Sequence, residues 1–192
     1  MILRLAPLAL AGLIAASSSS AQDSLSRTPM AAPPPAERFA LDVDAARGAI
    51  LVDGVLDDAG WAGAATATGF TEFQPGEGIP AATPAAALVT YDDRNLYVAV
   101  SVEDDPDRLR VTLQERDAVW NDDWVIVALD TWGDNSWAYM IGANPLGVQL
   151  DARFSNSTGD DPSFDVIYHS AGRITETGYV VELAIPFASL RF

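Results

Sequence analysis

Leu96-Tyr97-Val98-Ala99-Val100-Ser101-Val102 sets the period of this chain. Leu96, Val98, Val100 and Val102 fall on one side of an extended segment and Tyr97, Ala99 and Ser101 on the other, because successive strand side chains point to opposite faces. The same period returns in Tyr179, Val181, Leu183 and Ile185, which alternate with Val180, Glu182 and Ala184. Both segments are expected to be half-buried strands. Working outward, further strands are predicted over 49–52, 66–73, 85–91, 124–130, 137–144, 148–154 and 165–171. Turn chemistry separates them at Asp92-Asp93-Arg94-Asn95, Gly133-Asp134-Asn135, Asn144-Pro145-Leu146-Gly147 and Glu176-Thr177-Gly178. Residues 109–115 read equally as a short strand or a helical turn. About nine short strands with no convincing amphipathic helix between them predict an all-β, antiparallel β-sandwich.

Composition narrows the chemistry. The chain has 192 residues, room for one ordinary domain, with 27 acids against 11 bases and a net charge of −16. Such a polyanion repels phosphate backbones, so no nucleic-acid partner is expected. All bases are arginine, which excludes a Walker-type phosphate loop and Schiff-base lysine chemistry. Cysteine is absent, and with it disulfides, thiolate nucleophiles and zinc–cysteine sites. His169 is the single histidine, so a Ser-His-Asp triad has one candidate base and a multi-histidine metal site has none to spare. Asp outnumbers Glu by 20 to 7, and Asp favours turns and caps where Glu favours helix interiors.

The first residues read as an address. A basic start at Arg4, an apolar run from Leu5 to Ala16 and the small residues Ser19-Ser20-Ala21 predict a signal peptide over 1–21. The apolar run falls short of the roughly 20 residues that cross a bilayer. Residues 22–39, rich in Ser, Ala and Pro with Pro33-Pro34-Pro35 among them, predict a linker, leaving 40–192 as the folded module.

Trp120, Trp124, Trp132 and Trp137 lie close together in the middle of the chain. An indole face stacks on the C–H face of a sugar ring, and nearby amides and carboxylates select its hydroxyls. Trp137 alternates with strand neighbours and is expected in the core. Trp120 sits instead in a polar loop, between Arg116-Asp117 and Asn121-Asp122-Asp123, where a rigid sheet could hold it as a ligand platform. Acids cluster at Asp104-Asp105-Pro106-Asp107, at Asp122-Asp123, at Asp130 with Asp134 and at Asp160-Asp161. Oxygen-only ligand sets in loops suit a structural calcium, with Asp104, Asp105 and Asp107 the first candidates, although no stretch matches an EF-hand loop. Carboxylate pairs for glycoside hydrolysis would need a fixed gap that no spacing here sets. Met140 and His169 could serve as axial ligands of a b-type haem.

Val52-Asp53-Gly54-Val55-Leu56-Asp57-Asp58 with Trp61, Tyr91-Asp92-Asp93 before Leu96-Tyr97-Val98-Ala99, Asp123-Trp124-Val125, Leu129-Asp130-Thr131, Asn144-Pro145-Leu146-Gly147-Val148-Gln149, Asp151, Gly178-Tyr179, Glu182 and Ile185-Pro186-Phe187 follow one another in an order that resembles a family 9 carbohydrate-binding module over 49–192. The ending from Ile185 to Phe192 is similar, more narrowly, to the N-terminal module of large exported bacterial proteins with a C-terminal outer-membrane-like barrel region. The resemblance implies a non-catalytic β-sandwich that clasps sugars between two tryptophans, holds structural calcium and is often joined to polysaccharide-degrading enzymes. It implies a jelly-roll-like sandwich and places the first tryptophan on Trp120 and a sugar-binding asparagine on Asn144; Asp122 and Asp123, beside Trp120, are read as helpers or as calcium ligands. The family's sugar-contacting glutamate is Ile126 here and its arginine is Gly142, so a charged donor and an acceptor are both replaced. The second tryptophan would fall beyond Phe192, and the fold is expected to lack its last strands. The reading is a polysaccharide-binding module of an exported bacterial protein, periplasmic or outer-membrane-associated, with glycan as partner and no haem on that reading. The alternatives are a sandwich without sugar binding that serves assembly of an outer-membrane protein, and a b-haem sandwich.

Overall fold

Asp92 sets the first hairpin. Its Oδ1 accepts from the N–H groups of Arg94 and Asn95, each at 2.7 Å, an Asx turn that reverses the chain. The flanking strands then pair in register, Tyr91 opposite Leu96. The computed structural model describes residues 2–4, 40–72 and 78–191. In chain order the strands are β1 (Ile2–Arg4), β2 (Ala40–Asp42), β3 (Ala65–Ala67), β4 (Ala85–Tyr91), β5 (Asn95–Glu103), β6 (Val125–Leu129), β7 (Trp137–Ala143), β8 (Gln149–Ser155), β9 (Gly159–Asp161), β10 (His169–Thr175) and β11 (Gly178–Pro186). Among the described residues the only helical elements are 3-10 turns.

The fold is an antiparallel β-sandwich. One sheet has the order β10-β11-β5-β4-β3 and the other β6-β7-β8-β9, while β1 pairs with β2. The predicted signal peptide and linker otherwise lie outside the described residues. Val89, Leu96, Val98, Val181, Leu183 and Ile185 from the first sheet meet Leu129, Tyr139, Ile141 and Ala143 from the second in one buried cluster. Each fully buried Val, Leu or Ile among them contributes about 1.5–3 kcal/mol, so this interface is the main cohesive element of the domain.

The central strands differ from expectation in one respect: they are covered on both faces. Leu96 and Val98 face the inter-sheet core, while Tyr97, Ala99 and Ala184 are buried on the opposite side under Trp61, Ile50, Val52 and Leu56. That cover comes from residues 49–61, where a strand was expected at 49–52 and a loop with a 3-10 turn at Ala59–Trp61 is found. Glu182 fastens it. Fully buried on β11, its carboxylate accepts from Asp53 N–H at 2.9 Å, Gly54 N–H at 2.5 Å and Trp61 Nε1 at 3.0 Å.

Two further boundaries move. The strand expected over 66–73 is the shorter β3, and that expected over 165–171 is β10, which begins at His169. Residues 109–115 are neither strand nor helix.

Candidate functional site

The loop from 109 to 124 carries two exposed indoles beside a polar cluster, and its shape is set by buried anchors. Val119 is fully buried and Asp122 nearly so. Asp122 Oδ2 accepts from Thr112 N–H at 2.8 Å and Asn144 Nδ2 at 2.9 Å, and Thr112 Oγ1 donates to the same carboxylate. Burial pushes this carboxyl up, but the Asn144 and Thr112 hydrogen bonds outweigh it and hold the group below its ordinary value. One residue further on, Asp123 closes a second clasp: its Oδ2 accepts from Arg110 N–H at 2.7 Å and its own N–H donates to Arg110 O at 2.7 Å.

Between these anchors the indoles are left outside. Trp120 is 36% exposed and Trp124 42%, and Trp124 Nε1 lies 3.4 Å from Trp120 O. With Arg110, Asn121, Asp122 and Asp123 they line an open recess of about 460 Å3. Arg110 projects into solvent over it, its guanidinium 3.6 Å from Asp123, too long for a strong hydrogen bond. The recess therefore offers two apolar ring surfaces, guanidinium and amide donors, and one carboxylate. That combination suits a polar ligand with apolar faces.

The structure brings Trp120, Asp122 and Asp123 together as expected from sequence, and gives Asn144 another task. Asn144 is fully buried. Its Nδ2 donates to Thr112 O and Asp122 Oδ2, each at 2.9 Å, and its Oδ1 accepts from Leu146 N–H at 3.0 Å and Val148 N–H at 2.9 Å. A carboxamide has two N–H donors and two acceptor sites, and protein groups occupy all four. Asn144 is thus a latch beneath the site, not a ligand contact. Asp122, with its oxygens held by Thr112 and Asn144, acts likewise. Three residues not assigned from sequence join the site: Arg110, through its backbone pairing with Asp123, exposed Asn121, and Trp124, at the edge of the strand expected over 124–130. The Trp120-Asn121-Asp122-Asp123-Trp124 spacing, four residues across a turn, was the available signal.

The substituted positions pair across the sheet, Ile126 opposite Gly142. A Cβ at Gly142 would stand 2.1 Å from Val125 O and 2.8 Å from Ile126 Cγ1. No side chain fits there while β6 keeps its place.

Asp104, Asp105 and Asp107 do not converge as a calcium site. Asp104 Oδ1 accepts from Asp105 N–H at 2.7 Å, and Asp105 Oδ1 caps the 3-10 turn Pro106–Arg108 through Asp107 N–H at 3.1 Å. The clustering reflects turn formation. Among the described residues the acids that do gather are Asp117, Asp151 and Asp165, and Arg116 already sits among them. Met140 and His169 are also apart: Met140 is on β7 of one sheet, alternating with the core residues Tyr139 and Ile141, and exposed His169 is on β10 of the other. They cannot flank one haem.

These features define a β-sandwich with an open surface recess lined by two exposed indoles and polar groups. Residues 52–191, well over half of the chain, match the carbohydrate family 9 binding domain-like family, and the chain belongs to it. The family is one of non-catalytic carbohydrate-binding modules. Two solved structures of a family 9 module from Caldicellulosiruptor kristjanssonii are similar. The one in complex with glucose has a TM-score of 0.45 at 18% identity, covering 78% of this chain and 71% of that one. The one in complex with cellotriose has a TM-score of 0.42 at 19% identity, covering 75% and 66% respectively. No curated protein matches the chain.

Proposed function

We propose that this protein binds glycan in the recess between Trp120 and Trp124, as a non-catalytic module of an exported bacterial protein. The observation that carries the reading is the pair of exposed indoles on a loop whose neighbouring residues, Val119 and Asp122, are buried. Their exposure is imposed by the anchors, and a pre-set aromatic platform loses little entropy on binding. A sugar ring stacks on the indoles, Arg110 and Asn121 donate to its hydroxyls, and Asp123 accepts. Membership of a carbohydrate-binding family supports this assignment. The basic, apolar and small-residue pattern over 1–21 supports export, with the periplasm or outer membrane as destination and polysaccharide breakdown as the setting.

Titrating the full chain with soluble oligosaccharides of different backbones while following tryptophan fluorescence tests the proposal. A saturable change with at least one glycan is expected. The replacement of the family's glutamate and arginine by Ile126 and Gly142 favours a second reading, a sandwich that has left sugar binding for assembly of an outer-membrane protein. No response to any glycan in the panel would overturn glycan binding in this recess.

A further inference from the structure

Asp117, Asp151 and Asp165 each place one carboxylate oxygen within 4.8 Å of the others, an arrangement an oxygen-coordinated cation would suit. A cation is built in. Arg116 Nε donates to Asp151 Oδ1 at 2.9 Å, and Nη2 donates to the same oxygen and to Val166 O at 2.7 Å. Nη1 donates to Gln149 Oε1 at 3.0 Å. Nε is also 3.5 Å from Asp117 Oδ2 and 3.7 Å from Asp165 Oδ1, and the guanidinium carbon lies 5.4 Å from the Tyr168 ring centroid.

The surroundings are shaped to this guanidinium. Asp151 is fully buried, and its other oxygen accepts from Val166 N–H at 2.6 Å. Asp117 takes a left-handed backbone conformation, φ 62°, uncommon for any residue but glycine. From there its Oδ1 accepts from Asp151 N–H at 2.9 Å and its own N–H donates to Gln149 O at 3.0 Å. Residues 116 and 117 are thereby stitched to β8, four and three residues before Trp120.

We infer that Arg116 is the fixed internal cation of this acid trio, standing where a structural calcium would otherwise be held, so that the attachment of the 109–124 loop to β8 is independent of calcium. Calcium binds oxygens at about 2.3–2.6 Å, and an ion at that distance from Asp151 Oδ1 would compete with two guanidinium donors for one oxygen. Entry would cost the guanidinium its bonds to Asp151, Gln149 and Val166 and leave a positive charge unpaired in a half-buried site. A planar guanidinium with several fixed donors fits the arrangement better than a lysine would, because it reaches Asp151, Gln149 and Val166 together. The inference stands apart from the glycan reading.

Amide spectra of the isotope-labelled full chain test it, recorded in millimolar calcium and in chelator. The Asp117, Asp151 and Val166 amides are expected not to move in the wild type, and the melting temperature to stay the same. In Arg116→Met these three amides should shift saturably with calcium, and calcium should raise the melting temperature. If Arg116→Met folds only with calcium present, the inference is supported as well. Arg116→Lys, which keeps a cation, should fold and remain indifferent to calcium at the same amides. Saturable calcium shifts of Asp151 and Val166 in the wild type would overturn the inference. So would an Arg116→Met protein as stable as wild type in chelator.

Discussion

Replacing Asn144 by alanine separates a latch from a ligand contact. The substitution removes four hydrogen bonds from a fully buried position: those to Thr112 O, Asp122 Oδ2, Leu146 N–H and Val148 N–H. At about 1 kcal/mol net for each, with an added penalty where a buried partner is left unpaired, the loss comes to about 3–5 kcal/mol. That is a large share of the about 5–15 kcal/mol available to a domain. Equilibrium urea unfolding of wild type and Asn144→Ala measures it. The effect should also depend on pH. The folded-state pKa of Asp122 lies below its ordinary 3.8, so its contribution is fully present above that value and is lost as pH falls beneath it. Asn144→Ala should therefore cost less below pH 3.8 than at neutrality. Asn144→Asp keeps the acceptors for Leu146 and Val148 but sets a second carboxylate beside Asp122, so it should be destabilised at neutral pH and recover on acidification. An Asn144→Ala protein within about 1 kcal/mol of wild type but unable to bind glycan would refute the reasoning, because the amide would then serve the ligand.

Two further substitutions probe the frame. Burial pushes the Glu182 carboxyl above its ordinary 4.5 despite the Gly54, Asp53 and Trp61 donors, so its contribution to stability is greatest below that value and declines as pH rises through the raised folded-state pKa. Glu182→Gln should remove this decline from the pH profile of thermal unfolding and, by turning an N–H2 group toward either the Trp61 donor or the Asp53 and Gly54 donors, cost about 1–3 kcal/mol; a variant with the wild-type profile would contradict the assignment. Gly142→Ala forces a Cβ against Val125 O and should cost about 1–3 kcal/mol through displacement of β6, read by calorimetry as a lower melting temperature; an unchanged melting temperature would mean that β6 yields freely.

The sandwich was legible because its strands obey one rule, alternation ended by turn formers. Ala85–Tyr91 was read to the residue because Asp92 follows at once and reverses the chain. The rule misled where alternating burial arises without a ladder. Val166 and Tyr168 are buried and Ile167 is 76% exposed, a strand-like pattern, yet Val166 N–H bonds the Asp151 carboxylate and Tyr168 Oη donates to Gly142 O at 2.7 Å. These segments are held by side chains distant in sequence, which periodicity does not register. The same limit hid the double cover of β5 and β11, since Ile50 and Val52 pack on Trp61 from a loop. At the site, Trp120 stood out because a large apolar residue among Arg, Asp and Asn has no local reason to be there. Asn144 did not reveal its role, because Thr112 and Asp122 lie 32 and 22 residues away. The acids of Asp104-Asp105-Pro106-Asp107 looked like a ligand set through mere adjacency, whereas Asp117, Asp151 and Asp165 converge from three separate segments around an arginine.

Isothermal titration with whichever oligosaccharide gives the strongest fluorescence response tests the central claim most directly, comparing wild type with Trp120→Ala, Trp124→Ala and, as a control, Trp132→Ala. Trp132 is 60% exposed but lies outside the recess, on the β6–β7 turn held by Asp130. Loss of about 1–3 kcal/mol of binding free energy at Trp120 and at Trp124, with the Trp132 variant unchanged and all three melting near wild type, is the predicted result. Equal affinity across the four proteins, or loss confined to Trp132→Ala, would contradict it.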